Sequence, residues 1–228
     1  MNFRSQNWLL VISFSLVFGS ATAFSEIFLS KVIDSFLPDI EVVKSYRRPG
    51  SITILSTNEK IIQKIGPATR EKVTSGLMPL LVKKAFVAAE DRRFYEHKGI
   101  DFWSISRALV TNLRTSQIVE GASTITQQLA RTVFLNQDES FVRKIKEAAL
   151  AYKLERQMSK EEILEQYLNN VYLGSSAYGI ADAAWVYFTK TPELLTIEEI
   201  ALIAGLAPAP SFYSPLVNPG LAIKRRSI

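Results

Sequence analysis

The chain has 228 residues, 47% of them hydrophobic and 21% charged, which suits one packed domain with an appendage and excludes an intrinsically disordered protein. It contains no cysteine and a single histidine, His97, so disulfides, thiolate catalysis and His-rich or thiolate metal cages are excluded, and carboxylates are left as the leading acid–base groups. The net charge of +5 favours an anionic partner such as phosphate or a lipid headgroup; basic residues are not interleaved with aromatics in any compact run, which argues against nucleic acid.

Residues 5–25 carry no charge, and as a helix rising about 1.5 Å per residue they would span roughly 30 Å, the thickness of a bilayer core. They predict one membrane-spanning helix with the rest of the chain outside the cytoplasm. The competing reading is a cleaved signal peptide, with Arg4 as its basic end, an apolar stretch from Trp8 to Phe18 and a small-residue site at Ala21-Thr22-Ala23. Apolar character resumes at Ile27, Phe28 and Leu29, which favours the anchor. Arg47-Arg48-Pro49-Gly50 breaks the juxtamembrane segment, and Ser51–Leu55 reads as a short strand. The expected organisation is therefore an anchor over 1–30, a linker with a short β element over 31–78, and a mainly α domain over 79–228.

Pro79 opens a helical pattern in which Val82, Ala85, Phe86 and Ala89 recur on one face, placing Glu90 near a helix C-terminus. Ser140 precedes an amphipathic run through Met158. Ser159 with Glu162, and Thr196 with Glu199, form capping boxes before Ile163–Val171 and Ile200–Leu206. Thr191-Pro192 predicts a short turn, and Gly174, Gly179 and Pro208-Ala209-Pro210 punctuate the helix ends.

Three stretches are unlike core sequence. Glu90 and Asp91 close an apolar run; the negative end of a helix dipole would raise the Glu90 pKa toward the range of a base, with Arg92 and Arg93 pulling the other way. A solvated acidic helix end is the alternative. Arg143, Lys144 and Glu147 share one helix face, which keeps Glu147 ionised and, with Lys146, offers cations to a pyrophosphate; an ordinary salt-bridged surface is the alternative. Ser123, Thr124, Thr126, Gln127 and Gln128 present uncharged hydroxyl and amide groups suited to sugar hydroxyls or phosphate oxygens. An N-cap accounts equally well for Ser123 and Thr124, whereas Gln127-Gln128 has no such local explanation. His97 alone reads more readily as a structural hydrogen-bonder than as a catalyst.

Together these stretches resemble the peptidoglycan glycosyltransferases, the lysozyme-like domain of class A penicillin-binding proteins and of their monofunctional relatives. Glu90, Asp91, Phe94, His97 and Gly99 match the first family motif; Gly121–Leu129, Arg143–Glu147 and Lys160–Asn169 match the next three in order. Arg131 stands where the family often has lysine. Arg225-Arg226-Ser227-Ile228 replaces the usual Arg-Arg-Asn-x-Val-Leu, so both arginines are expected on a frayed terminus, with no closing helix or transpeptidase domain and weak polymerisation.

The resemblance implies a catalytic pair of Glu90 as general base and Glu147 as an ionised group that orients cations or a metal at a pyrophosphate. It implies substrate contacts from Asp91, Arg107, Ser123, Thr124, Gln127, Gln128, Arg131, Arg143, Lys144 and Lys146. It further implies a divalent cation, Mg or Mn, without an organic cofactor. The partners implied are lipid II and the growing glycan, membrane lipid, and cell-wall synthesis or division proteins, at the outer face of the cytoplasmic membrane. A muramidase-type hydrolase and a lipid II-binding fragment without turnover are the alternatives.

Overall fold

The computed structural model describes residues 37–46, 52–65, 72–74, 76–115, 121–135 and 140–227. The expected membrane span and the rival signal peptide lie outside the described residues. Among those described, no helix is long and apolar enough to cross a membrane. The chain divides into Met1–Asp39 and Ile40–Ile228, and the second unit holds every element described below.

After a single-turn helix α1 (Glu41–Ser45), strands β1 (Ile52–Leu55) and β2 (Ile61–Ile65) form an antiparallel hairpin with Ile52 opposite Ile65. The sequence announced β1 but not β2. Its connection, Ser56–Lys60, contains neither glycine nor proline, and Glu59 takes the left-handed conformation (φ 61°) that such a turn normally assigns to glycine.

The remainder is helical: α2 (Leu80–Glu90), α3 (Phe102–Thr115), α4 (Ile125–Phe134), α5 (Phe141–Gln157), α6 (Lys160–Asn170), α7 (Ile180–Phe188), α8 (Ile197–Leu206) and α9 (Pro219–Arg226), with a 3-10 turn at Pro192–Leu194. Hydroxyl caps start four of them, since the side chains of Thr124, Ser140, Ser159 and Thr196 each accept the backbone N–H three residues on. The core forms where α4 packs on α5 and α6 and where α2 packs on α8. Phe86, Ile125, Leu129, Leu150, Leu154, Ile163, Leu164, Tyr167 and Leu168 are all buried there. Helix α3 has no counterpart among the sequence expectations. Only Ala108 on it is buried, while Phe102, Trp103, Leu109 and Leu113 are exposed, so its apolar pattern does not point into the core.

Two glycines fix the approach of neighbouring segments. At Gly99 (φ 90°) a Cβ would lie 2.8 Å from the Ala151 carbonyl, so only glycine lets the loop after α2 rest on α5. At Gly179 (φ 82°) a Cβ would lie 2.4 Å from the Asn169 carbonyl oxygen, which seats the start of α7 on the end of α6. The ninth helix overturns an expectation. Pro219 opens it, Arg225 and Arg226 lie in its last turn, and it packs on α8 with Arg225 against Gly205, so the arginines are carried on a helix rather than a loose end.

Candidate active site

Glu90 is the last residue of α2, and the backbone turns sharply at Asp91 (φ −157°, ψ 75°). Both Asp91 oxygens are spent holding that turn: they accept from His97 Nε2 at 3.0 and 2.9 Å, and Oδ2 also accepts the Ile125 N–H at 3.0 Å. His97 Nδ1 accepts the Gly99 N–H at 3.1 Å, which places the proton of the neutral ring on Nε2, toward Asp91. The pair is buried and pins the loop to the N-terminus of α4. Asp91, expected to contact substrate, borders the cleft described below while both its oxygens are engaged in this clamp.

Helix α4 is set in register by a reciprocal cap. Thr124 Oγ1 accepts the Gln127 N–H and donates to the Gly99 carbonyl at 2.7 Å, and Gln127 Oε1 accepts the Thr124 N–H at 3.1 Å. Gln127, expected to meet substrate because nothing local explained it, is therefore the third residue of a capping box and is buried. Thr124 is likewise engaged by the backbone.

One residue further on, Gln128 reaches the other way. Its Nε2 donates to Glu90 Oε2 at 2.7 Å, and its Oε1 accepts from the buried Tyr167 hydroxyl at 3.3 Å. Glu90 Oε1 is buried and has no hydrogen-bond partner among the described residues. Burial is the largest influence on this carboxyl and raises its pKa above the ordinary glutamate value; Asp91 adds to the rise, while the Gln128 amide, Arg225 and Arg131 oppose it. The opposing cations are thus not the expected Arg92 and Arg93. Arg92 bonds the Ala88 carbonyl, and Arg93 pairs with Glu96 and Asp101.

These groups face a cleft of about 780 Å³. Glu90, Ser123 and Gln128 line it, with Arg107 from α3, Arg131 from α4 and Arg225 from α9 supplying positive charge. Asp101 also borders the cleft, but its carboxylate caps α3, accepting from the Trp103 and Ser104 backbone and the Ser104 hydroxyl.

A family model described as Transglycosylase matches residues 58–228. The chain belongs to the transglycosylase family. It is 41% identical over 220 residues to Penicillin-binding protein 1A of Neisseria lactamica, covering 96% of this chain and 28% of that protein. With Penicillin-binding protein 1A of Escherichia coli K12 it shares 45% identity over 200 residues, covering 88% and 24% respectively. The chain thus spans about a quarter of the length of these relatives. The crystal structure of Penicillin-Binding Protein 1A from Haemophilus influenzae aligns with 79% of this chain and 17% of its own, at TM-score 0.42 and 24% identity.

Glu147 lies behind the cleft wall rather than on it. Only 1% exposed, it accepts from Arg143 Nη1 at 2.7 Å and Lys144 Nζ at 2.8 Å, and Lys144 also bonds Ser123 Oγ at 2.8 Å. Ser123 therefore relays the basic face of α5 to the cleft. Lys146 is exposed and lies away from the cleft lining. Glu147 does not fit the role of a metal ligand, because both oxygens are already held by cations, and among the described residues no three His, Asp or Glu side chains cluster to hold an ion.

Sequence reasoning missed Asp101, Arg225 and Tyr213 on the cleft lining and Tyr167 buried behind it. The Arg225 guanidinium sits 5.7 Å from the centre of the Tyr213 ring, and both line the cleft. Pro219, nearly two turns before the arginines, was the available sign that a helix, and not a loose end, carries them.

Proposed function

We propose that this chain is a peptidoglycan glycosyltransferase that polymerises lipid II at the outer face of the cytoplasmic membrane, with Glu90 as general base. The observation that carries the reading is the carboxylate inventory of the cleft. Asp91 and Asp101 have their oxygens committed to structure and Glu147 lies behind the wall, whereas Glu90 keeps one buried oxygen unpartnered among the described residues. Burial raises its proton affinity toward the range a base requires.

The 4-hydroxyl of an incoming lipid II gives its proton to Glu90 as its oxygen attacks the anomeric carbon of the growing chain. The bond from that carbon to the undecaprenyl pyrophosphate breaks on the opposite face, inverting the centre. Arg107, Arg131 and Arg225 offset the phosphate charge across the cleft, and Ser123, backed by Lys144, positions an oxygen of the substrate. Arg143 and Lys144 hold Glu147, which keeps them in place and neutralises part of their charge. No step runs through a metal. The membrane, the lipid-linked glycan and other cell-wall proteins are the partners this chemistry calls for.

A muramidase reading is weaker for a stated reason. Hydrolysis by two carboxylates needs a second one in the cleft free to act, and the committed oxygens of Asp91, Asp101 and Glu147 leave none among the described residues. Incubating the detergent-solubilised chain with lipid II and resolving the products tests the proposal. Glycan ladders from the wild type and none from Glu90→Gln support it; cleavage of finished glycan without polymerisation contradicts it.

A further inference from the structure

Tyr167 lies on α6 with 1% of its surface exposed, and no substrate can touch it. Its hydroxyl is nonetheless part of a three-residue line that ends at Glu90. A buried phenol needs a partner, and a carboxylate can only accept, so the polarity of the line is settled by chemistry. Gln128 must turn its NH₂ to Glu90, which leaves its carbonyl facing α6, and that carbonyl needs a donor. Tyr167 is that donor; burial, with Glu90 nearby, holds the phenol well above its ordinary pKa and so keeps it protonated.

We infer that Tyr167 is a positioning residue, whose proton fixes the Gln128 amide so that Glu90 Oε2 stays engaged and Oε1 alone is left without a partner to take up a proton. Without the phenol proton the Gln128 carbonyl is left buried and unpaired, the amide is no longer held in place, and Glu90 loses part of the fixed N–H bond that favours its ionised form, so it takes up a proton more readily. The hydroxyl of a core tyrosine then sets how readily the carboxylate in the cleft is protonated. The other charged groups near Glu90 are Asp91 on the adjoining turn, Arg131 on α4 and Arg225 on α9, and none of them bonds Tyr167. Phenylalanine at 167 keeps the edge-on packing against Phe86, at 6.2 Å between ring centres.

The purpose of this wiring rests on Glu90 being the base, but its existence does not, and the test separates the two. The full chain is labelled with ¹³C at glutamate carboxyls, and the Glu90 resonance is assigned by its loss in Glu90→Gln. Tyr167→Phe should move the Glu90 titration midpoint up by about one pH unit, the scale of a hydrogen bond to a charged group. Gln128→Ala should do the same, and adding Tyr167→Phe to it should produce no further shift. An unmoved midpoint in Tyr167→Phe, or additive shifts in the double variant, overturns the inference. In the wild type the Gln128 side-chain NH₂ signals should follow the Glu90 titration; if they ignore it, the inference also falls, whether or not the variants fold. The acid limb of glycan polymerisation should move with the midpoint. A midpoint that moves while the limb stays still upholds the wiring and removes Glu90 from the role of base.

Discussion

Glu90 sits where a neutral carboxyl is more comfortable than an ionised one, and the fold bears that cost. Its folded pKa is raised, so the preference of the fold for protonated Glu90 is fully present below the unfolded pKa and is lost as pH rises through the folded one. Glu90→Gln, which stays neutral, should therefore raise Tm relative to wild type at neutral pH, and the gain should vanish near about pH 4, where both proteins carry a neutral side chain. Thermal melts at the two pH values check this alongside the expected loss of turnover. Glu147 should behave in the opposite sense. Almost fully buried between two cations, it compensates them, and Glu147→Ala should cost about 3 kcal/mol in urea denaturation, the lower end for breaking a buried pair, because Lys144 is 44% exposed. Retained stability would mean that the cations are solvated and free to bind ligand without it.

Helix caps and glycine hinges hold these side chains in place, and they can be tested apart from the chemistry. Thr196→Ala removes a capping box remote from the cleft and should cost about 1 kcal/mol with polymerisation unchanged. Gly179→Ala should cost about 3 kcal/mol or more in the same denaturation experiment, because its backbone conformation is nearly restricted to glycine and the added Cβ meets the Asn169 carbonyl. At this scale the sequence was readable wherever a local rule ruled. Ser140, Ser159 and Thr196 cap helices as their spacing predicts, and Glu90 ends its helix as the apolar pattern from Val82 to Ala89 predicts. It was unreadable where the deciding contact is distant. Gln127 and Gln128 are adjacent and identical, yet one bonds Thr124 three residues back and the other spans to Glu90 and Tyr167, on helices no short window contains. Helix α3 escaped because its apolar residues do not point into the core that periodicity is used to find.

At the scale of the molecule, the cleft is assembled from both ends of the folded unit. Helix α2 brings Glu90, and α9, more than a hundred residues later, brings Arg225 against the same space. The site therefore depends on a packing interface between α8 and α9 in which Gly205 leaves room for Arg225: a Cβ there would come within 3.3 Å of its Cγ. Because Arg225 lowers the proton affinity of Glu90 as well as facing the ligand space, it has two effects that a single substitution should expose together. Arg225→Ala should weaken binding of inorganic pyrophosphate by about 1.5–3 kcal/mol in calorimetry, the range for hydrogen bonds to charged groups, and should shift the acid limb of the rate profile upward. A chain ending at Pro210 loses Tyr213 and α9 as well. Helices α4, α5 and α6 pack on one another without those segments, so most of the helical ellipticity should persist, while glycan synthesis falls at least as far as in Arg225→Ala. Full polymerisation by the shortened chain would show that α9 covers the cleft without contributing to it, and the positive charge opposite Glu90 would then have to come from Arg107 and Arg131 alone.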